Sequence, residues 1–150
     1  MKVVTTRFGE LDIDDRQVID FPLGILGFPE FKRWILLQAS PESVFFWLQS
    51  ADAPDLAFIL VQPHLFFKDY RVRAQDEELK AIGLDDSDAG EVFVICNRVS
   101  DAVTVNLQGP LVFNAATRRA RQVVLCDRHL TTRHELCKLG KEACLTAAAV

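Results

Sequence analysis

Little in this sequence points to catalysis, secretion or a membrane. It has no G-x-S-x-G elbow, no P-loop, no G-x-G-x-x-G and no H-E-x-x-H, so the common hydrolase, nucleotide-binding and metalloprotease signatures are missing. No apolar run approaches the ~20 residues a membrane helix needs. The opening segment, Met1-Lys2-Val3-Val4-Thr5-Thr6-Arg7, becomes polar too soon for a signal peptide, and a cytoplasmic location is expected. Positive charge is not in excess. Lys and Arg number 17 against 21 Asp and Glu, a net charge of −4, which argues against a general nucleic-acid binder. Seven Gly and six Pro in 150 residues exclude a collagenous or low-complexity chain. The four cysteines, at 96, 126, 137 and 144, form no C-x-x-C pair. In a cytoplasmic chain they are expected as reduced thiols. On a helix, Cys137 and Cys144 would stand about 10.5 Å apart, beyond disulfide reach.

What is present is an ordinary globular mixture, 49% hydrophobic and 25% charged, long enough for one self-sufficient domain. The charge is uneven. Residues 1–91 hold nine Lys and Arg against 17 Asp and Glu, and residues 92–150 hold eight against four. Such a chain is able to turn an acidic face toward a basic partner, although a charge run also serves simply as a solvated loop.

Short β-branched and aromatic segments dominate. Strands are expected at Val3 to Phe8 and Leu11 to Ile13, joined across Gly9-Glu10, and at Gln17 to Phe21, Trp34 to Gln38, Phe45 to Gln49 and Leu56 to Gln62. Further strands are expected at Tyr70 to Arg73, Glu91 to Val99, Val103 to Leu107, Leu111 to Asn114 and Arg121 to Cys126. Between them, Phe21-Pro22-Leu23-Gly24-Ile25-Leu26-Gly27-Phe28-Pro29 reads as a shaped turn carrying apolar side chains. Asp76 to Gly83 reads as a helix, with acids in its first turn and Gly83 as its C-cap. The tail from Thr131 to Val150 has a helical composition, with Leu136, Leu139 and Ala143 on one side, and is expected to be a helix or frayed. This pattern predicts a mainly β fold: a compact, antiparallel, β-barrel-like single domain with one or two short helices.

Few residues suggest chemistry. Asp52 and Asp55 form a carboxylate pair near a strand end. They would serve a hydrolase only if their environments separated their pKa values, and Asp beside Pro is equally a turn former. Cys126, His129, His134 and Cys137 are zinc-ligand types at short spacing. Cys126 alternatively packs as a small apolar residue at a strand end. Together with the Arg118-Arg119-Ala120-Arg121 cluster, those four would make a zinc-stabilised RNA-binding module. The same arginines read equally as an exposed turn protecting a sheet edge. Leu65-Phe66-Phe67-Lys68-Asp69-Tyr70 offers either an aromatic anchor for a partner or a plug for the barrel end.

Taken in order, several segments resemble the flagellar assembly factor FliW family. They are Arg7-Phe8-Gly9-Glu10, Phe21-Pro22-x-Gly24-Ile25-x-Gly27-Phe28, Trp47-Leu48-Gln49-Ser50-x-Asp52-x-Pro54-Asp55-Leu56-Ala57-Phe58, Pro63-x-Leu65-Phe66-Phe67-x-Asp69-Tyr70, Asn106-Leu107-x-Gly109-Pro110-Leu111-Val112-Phe113-Asn114 and Arg121-Gln122-Val123-Val124-Leu125. The resemblance covers about Met1 to Leu136, giving a domain at 1–136 and an extension at 137–150. It implies a cytoplasmic, non-enzymatic protein without a cofactor, binding flagellin and the translational repressor CsrA and so relieving repression of flagellin mRNA. Direct nucleic-acid or membrane contact is not expected, and a monomer is expected because nothing in the sequence signals an oligomer. CsrA presents positive charge to RNA, so Asp76, Glu77, Glu78, Asp85 and Asp86 are candidates for its face. Asp52 and Asp55 are further partner-binding candidates. Flagellin's helical apolar termini need a hydrophobic groove, for which Phe66, Phe67 and Tyr70 are candidates.

Overall fold

The computed structural model describes residues 1–38, 40–85, 89–99, 101–126 and 130–138. Eleven strands are found among them: β1 (Lys2–Thr5), β2 (Gly9–Asp12), β3 (Val18–Asp20), β4 (Arg33–Gln38), β5 (Phe45–Ser50), β6 (Ala57–Val61), β7 (Glu91–Val99), β8 (Ala102–Val105), β9 (Leu111–Asn114), β10 (Arg119–Gln122) and β11 (His134–Lys138). One α-helix, α1, spans Asp76–Lys80, and single 3₁₀ turns occupy Asp15–Gln17 and Pro63–Leu65.

Seven strands close a ring in the order β3-β4-β5-β6-β7-β9-β10, with β10 returning to β3. Six of the pairings are antiparallel. The closing one, Arg119 opposite Asp20, is parallel, and it is braced by a 2.8 Å hydrogen bond from Asp20 N–H to Arg118 C=O. The barrel is therefore mixed rather than antiparallel throughout. The reason is geometric: alternating directions cannot close around an odd number of strands. Strands β8 and β11 extend the sheet from the far half of β7.

Alternation along the strands sorts side chains into two layers. Ile19, Trp34, Leu48, Leu60, Phe93, Ile95, Leu111, Phe113 and Ala120 fill the barrel. Phe21 meets Trp34 and Phe113 edge-on, at ring separations of 6.3 and 5.6 Å. The outward residues of β4, Ile35 and Leu37, lie under the β1–β2 hairpin, which packs Val3, Leu11 and Ile13 on them. On the opposite flank, the strap from Phe67 to Leu84 packs Tyr70, Val72, Leu79, Ile82 and Leu84 over Val92, Val94, Val112 and Val123.

Several expected boundaries move, each for a local reason. The first hairpin turns at Thr6-Arg7-Phe8, not at Gly9-Glu10, and β1 ends at Thr5. The Thr5 hydroxyl accepts from Phe8 N–H and donates to Gly9 C=O, both at 2.8 Å, and Gly9 takes the positive φ of +71° that the turn requires. Tyr70 to Arg73 alternates buried and exposed as a strand would, but it packs through side chains and enters no sheet. Strand β10 starts and ends earlier than expected. Beyond it, Val123 and Leu125 still donate to Pro110 and Gln108 carbonyls at 2.9 and 2.8 Å, but Pro110 has no N–H to return. The expected helix from Thr131 gives way, over residues 134–138, to β11, because the open edge of β8 offers it a ladder. The rest of that expectation, from residue 139 onward, lies outside the described residues. Helix α1 is shorter than expected but stops as expected: Gly83 stands at φ +81°, and Leu84 N–H returns to Leu79 C=O at 2.9 Å.

Candidate functional site: an apolar groove with an acidic rim

The loop after β3 departs from the rule that loop residues are polar. Phe21 and Ile25 are buried, anchoring the loop in the barrel mouth, whereas Leu23 is 62% and Leu26 67% exposed. Gly24 makes this possible. Its φ is +67°, and a Cβ there would stand 2.6 Å from Pro29 Cα. Ile25 and Phe28 then bridge to each other around Leu26 and Gly27, the latter at φ +89°. The Gln122 side chain fixes the tip, accepting from Leu26 N–H at 2.8 Å and donating to Gly109 C=O at 3.1 Å.

Leu23 and Leu26 form one wall of a cavity of about 570 Å³, closed on the other sides by Val124, Arg121, Gln122 and the start of α1. Val124, just past β10, is 57% exposed. A second cavity of about 510 Å³ shares Gln75, Glu78 and Val124 with the first and continues past Arg71, Arg73 and Leu125 to Cys126. Together they make one groove along the segment 121–126. Three large apolar side chains, Leu23, Leu26 and Val124, thus stand exposed at one site.

Its rim is charged. Asp76 and Glu77 are exposed in the first turn of α1, where acids favour the helix start. Glu78 is largely buried, with Oε2 3.5 Å from Arg121 Nε, so Arg121 is committed to an ion pair. Arg118 donates to Gln17 C=O at 3.1 Å. The basic cluster read from the sequence is thus partly consumed by internal contacts.

The other candidate residues scatter. Phe66 is exposed beside Leu65, and Phe67 is half-buried with its ring 5.0 Å from that of His134. Tyr70 is a correction. It is buried, its hydroxyl donates to Leu107 C=O at 2.5 Å, and burial pushes its pKa well above the ordinary phenol value. It cannot offer its ring to a partner as the sequence suggested. Asp85 is exposed after α1, and Asp86 lies outside the described residues. Asp52 forms a two-armed ion pair with Arg33, and its turn is braced by Ser50 Oγ, which accepts from the N–H groups of Asp52 and Ala53 at 3.2 and 3.0 Å. That contact raises the Arg33 pKa above its ordinary value, chiefly through the hydrogen bond. Asp52 thus serves the turn, not an acid–base pair. Asp55 is exposed elsewhere, near Arg7 and Trp47.

Among the described residues, no three His, Cys, Asp or Glu side chains converge to hold a metal. Cys126 is exposed in the groove rather than packed in the core, and His129 lies outside the described residues. Also among them, no helix is long and apolar enough to cross a membrane. Sequence reasoning missed Leu23, Leu26 and Val124. The available signal was the set of five large apolar residues, Phe21, Leu23, Ile25, Leu26 and Phe28, inside a Gly- and Pro-punctuated loop.

Comparison with known proteins agrees with this architecture. The family model described as FliW protein matches residues 2–136. The flagellar assembly factor FliW of Heliobacterium modesticaldum is 42% identical over 138 residues, covering 91% of this chain and 90% of that one. That of Leptospira biflexa is 38% identical, with 92% of each covered, and that of Geobacter sulfurreducens 39% identical, with 89% and 85% covered. A crystal structure of the flagellar assembly factor FliW superposes with a TM-score of 0.82 at 32% identity, covering 91% of this chain and 96% of that one.

Proposed function

This chain belongs to the FliW family of non-enzymatic flagellar assembly factors, and from that premise we propose that it works by partner switching. In this reading it binds flagellin and the repressor CsrA, and flagellin occupancy releases CsrA to its mRNA. The observation that carries the reading is the groove at Leu23, Leu26 and Val124, rimmed by Asp76 and Glu77. An apolar helical segment of flagellin gains burial against the three exposed side chains, as amphipathic helices do in grooves. The acidic start of α1, with Asp85 beyond it, attracts a protein whose RNA-binding face is basic. On this reading the two partners' footprints overlap at these neighbouring surfaces, so each lowers the other's apparent affinity by exclusion, and no chemical step is required.

Calorimetric titration with flagellin and with CsrA from the same organism, singly and in competition, tests this. Binding of both, with flagellin displacing CsrA, is expected. Binding of neither by the folded protein overturns the reading. Charge reversal at Glu77 and Asp85 is expected to weaken CsrA binding most at low salt, since exposed charges act through a screened field. A salt-independent response would separate the acidic rim from CsrA.

A further inference from the structure

On the flank covered by the first hairpin, a separate cavity of about 370 Å³ lies between the Thr6-Arg7-Phe8 turn and strands β5 and β6. Two buried polar side chains that line it have unmatched atoms. Gln49 is fully buried, Trp47 is 5% exposed, and neither Gln49 Oε1 nor Trp47 Nε1 has a hydrogen-bond partner among the described residues. A flip of the Gln49 amide does not cure this. Its Nε2 faces the carbonyls of Ser50, Ala53, Pro54 and Leu56 at 3.0, 3.3, 3.3 and 3.2 Å. Reversal would set Oε1 against four oxygens, so the acceptor is held facing away from them. The frame is braced by Thr6 N–H, which donates to Pro54 C=O at 2.8 Å. The exposed Arg7 lies with its guanidinium 4.2 Å over the Trp47 ring, and exposed Asp55 completes the wall.

We propose that this cavity is a second binding site, specific for a peptide amide, with Arg7 as the side chain that swings aside to admit it. Trp47 Nε1 and Gln49 Oε1 are closed off from solvent while Arg7 covers the Trp47 ring. With Arg7 turned outward, the opening would present Trp47 Nε1 and the rim-held Arg7 as donors and Gln49 Oε1 and Asp55 as acceptors. A neutral group with one C=O and one N–H satisfies both sets. A carboxylate would meet Gln49 Oε1 and Asp55, and an ammonium would meet Arg7. Buried polar groups without partners are costly, and an amide that pairs them removes that cost. The inference stands apart from the flagellar reading, since it uses none of the groove residues.

The protein carries its own control. Its other tryptophan, Trp34, is buried with Nε1 donating to Phe31 C=O at 2.9 Å. In ¹⁵N-labelled full-length protein, titration with N-acetylglycine N-methylamide is expected to move the Trp47 indole signal saturably while the Trp34 signal stays. Sodium acetate is expected to move neither. Trp47→Phe identifies the signal by its loss. Followed at the backbone amides of Arg7 and Asp55, that variant is expected to bind about tenfold more weakly. Arg7→Ala, on an exposed turn, keeps the fold and is expected to bind severalfold more weakly. A static Trp47 signal overturns the proposal. So do an equal response to acetate, equal movement of both indoles, or unchanged binding in both variants.

Discussion

The barrel interior and the groove beside it use the same kinds of side chain for opposite ends, and the two meet within one loop. Phe21 and Ile25 are sealed among Trp34, Phe113 and Leu111, while Leu23 and Leu26, two and one positions away, face solvent. Exposure here is not a failure of the core to accommodate more apolar surface. The backbone is shaped to present it, through the positive φ of Gly24 and Gly27 and the Gln122 clamp on Leu26. Sealed and exposed apolar residues therefore alternate within one segment, and the proposed recognition would rest on the exposed ones.

The interior half is broken most severely by Phe21→Ala. That change empties the ring's place between Trp34 and Phe113 and is expected to cost about 3–5 kcal/mol in urea unfolding. Since such domains have only about 5–15 kcal/mol in total, partly unfolded protein is expected near physiological temperature. A loss below 1 kcal/mol would show that the loop, not the ring, carries the packing. Gly24→Ala acts on the junction of the two regions. Strained backbone and a Cβ pressed on Pro29 predict a loss of about 1–3 kcal/mol, accompanied by weaker flagellin binding as Leu23 and Leu26 shift together.

The interior half was far more legible in the sequence than the groove. Alternating apolar residues from Trp34 to Leu36, Phe46 to Leu48 and Phe58 to Leu60 state a two-layered strand directly. The number of strands in the ring, and hence its one parallel joint, is not written in any local pattern. Nor is the choice of β11 over a helix, because a free β8 edge is a property of the assembled sheet. The candidate site was half legible. The acids of α1 announce themselves as a charge cluster, but Val124 reads as one more strand residue until the strand is seen to stop at Gln122. Tyr70 misled for the complementary reason: an aromatic cluster in sequence splits in space into exposed Phe66, half-buried Phe67 and sealed Tyr70.

If presentation rather than packing is the task of Leu23 and Leu26, their double replacement by Ser separates the two functions. Unfolding free energy is expected to change by no more than about 0.5 kcal/mol, as for surface positions. Affinity for flagellin is expected to fall about tenfold or more, since apolar anchors dominate such interfaces. Loss of stability with binding intact would reverse the assignment.

Two thiols mark the same two regions of the molecule. Cys96 is buried under the strap, where burial pushes its pKa up to about 12, whereas Cys126 is exposed at the far end of the groove. Only a thiolate reacts, so alkylation of native protein near neutral pH followed by peptide mapping is expected to label Cys126 and spare Cys96. The sign for stability follows from the same burial. The unfolded thiol ionises near its ordinary 9.0 and the folded one near 12, so the contribution of Cys96 is intact below about pH 9 and declines as pH rises toward 12. A small adduct on Cys126 leaves Leu23 and Leu26 free, and flagellin binding is expected to weaken only severalfold. Complete loss would place the centre of the interface at the Cys126 end of the groove, and no change would confine it to the stretch between Leu23 and Val124.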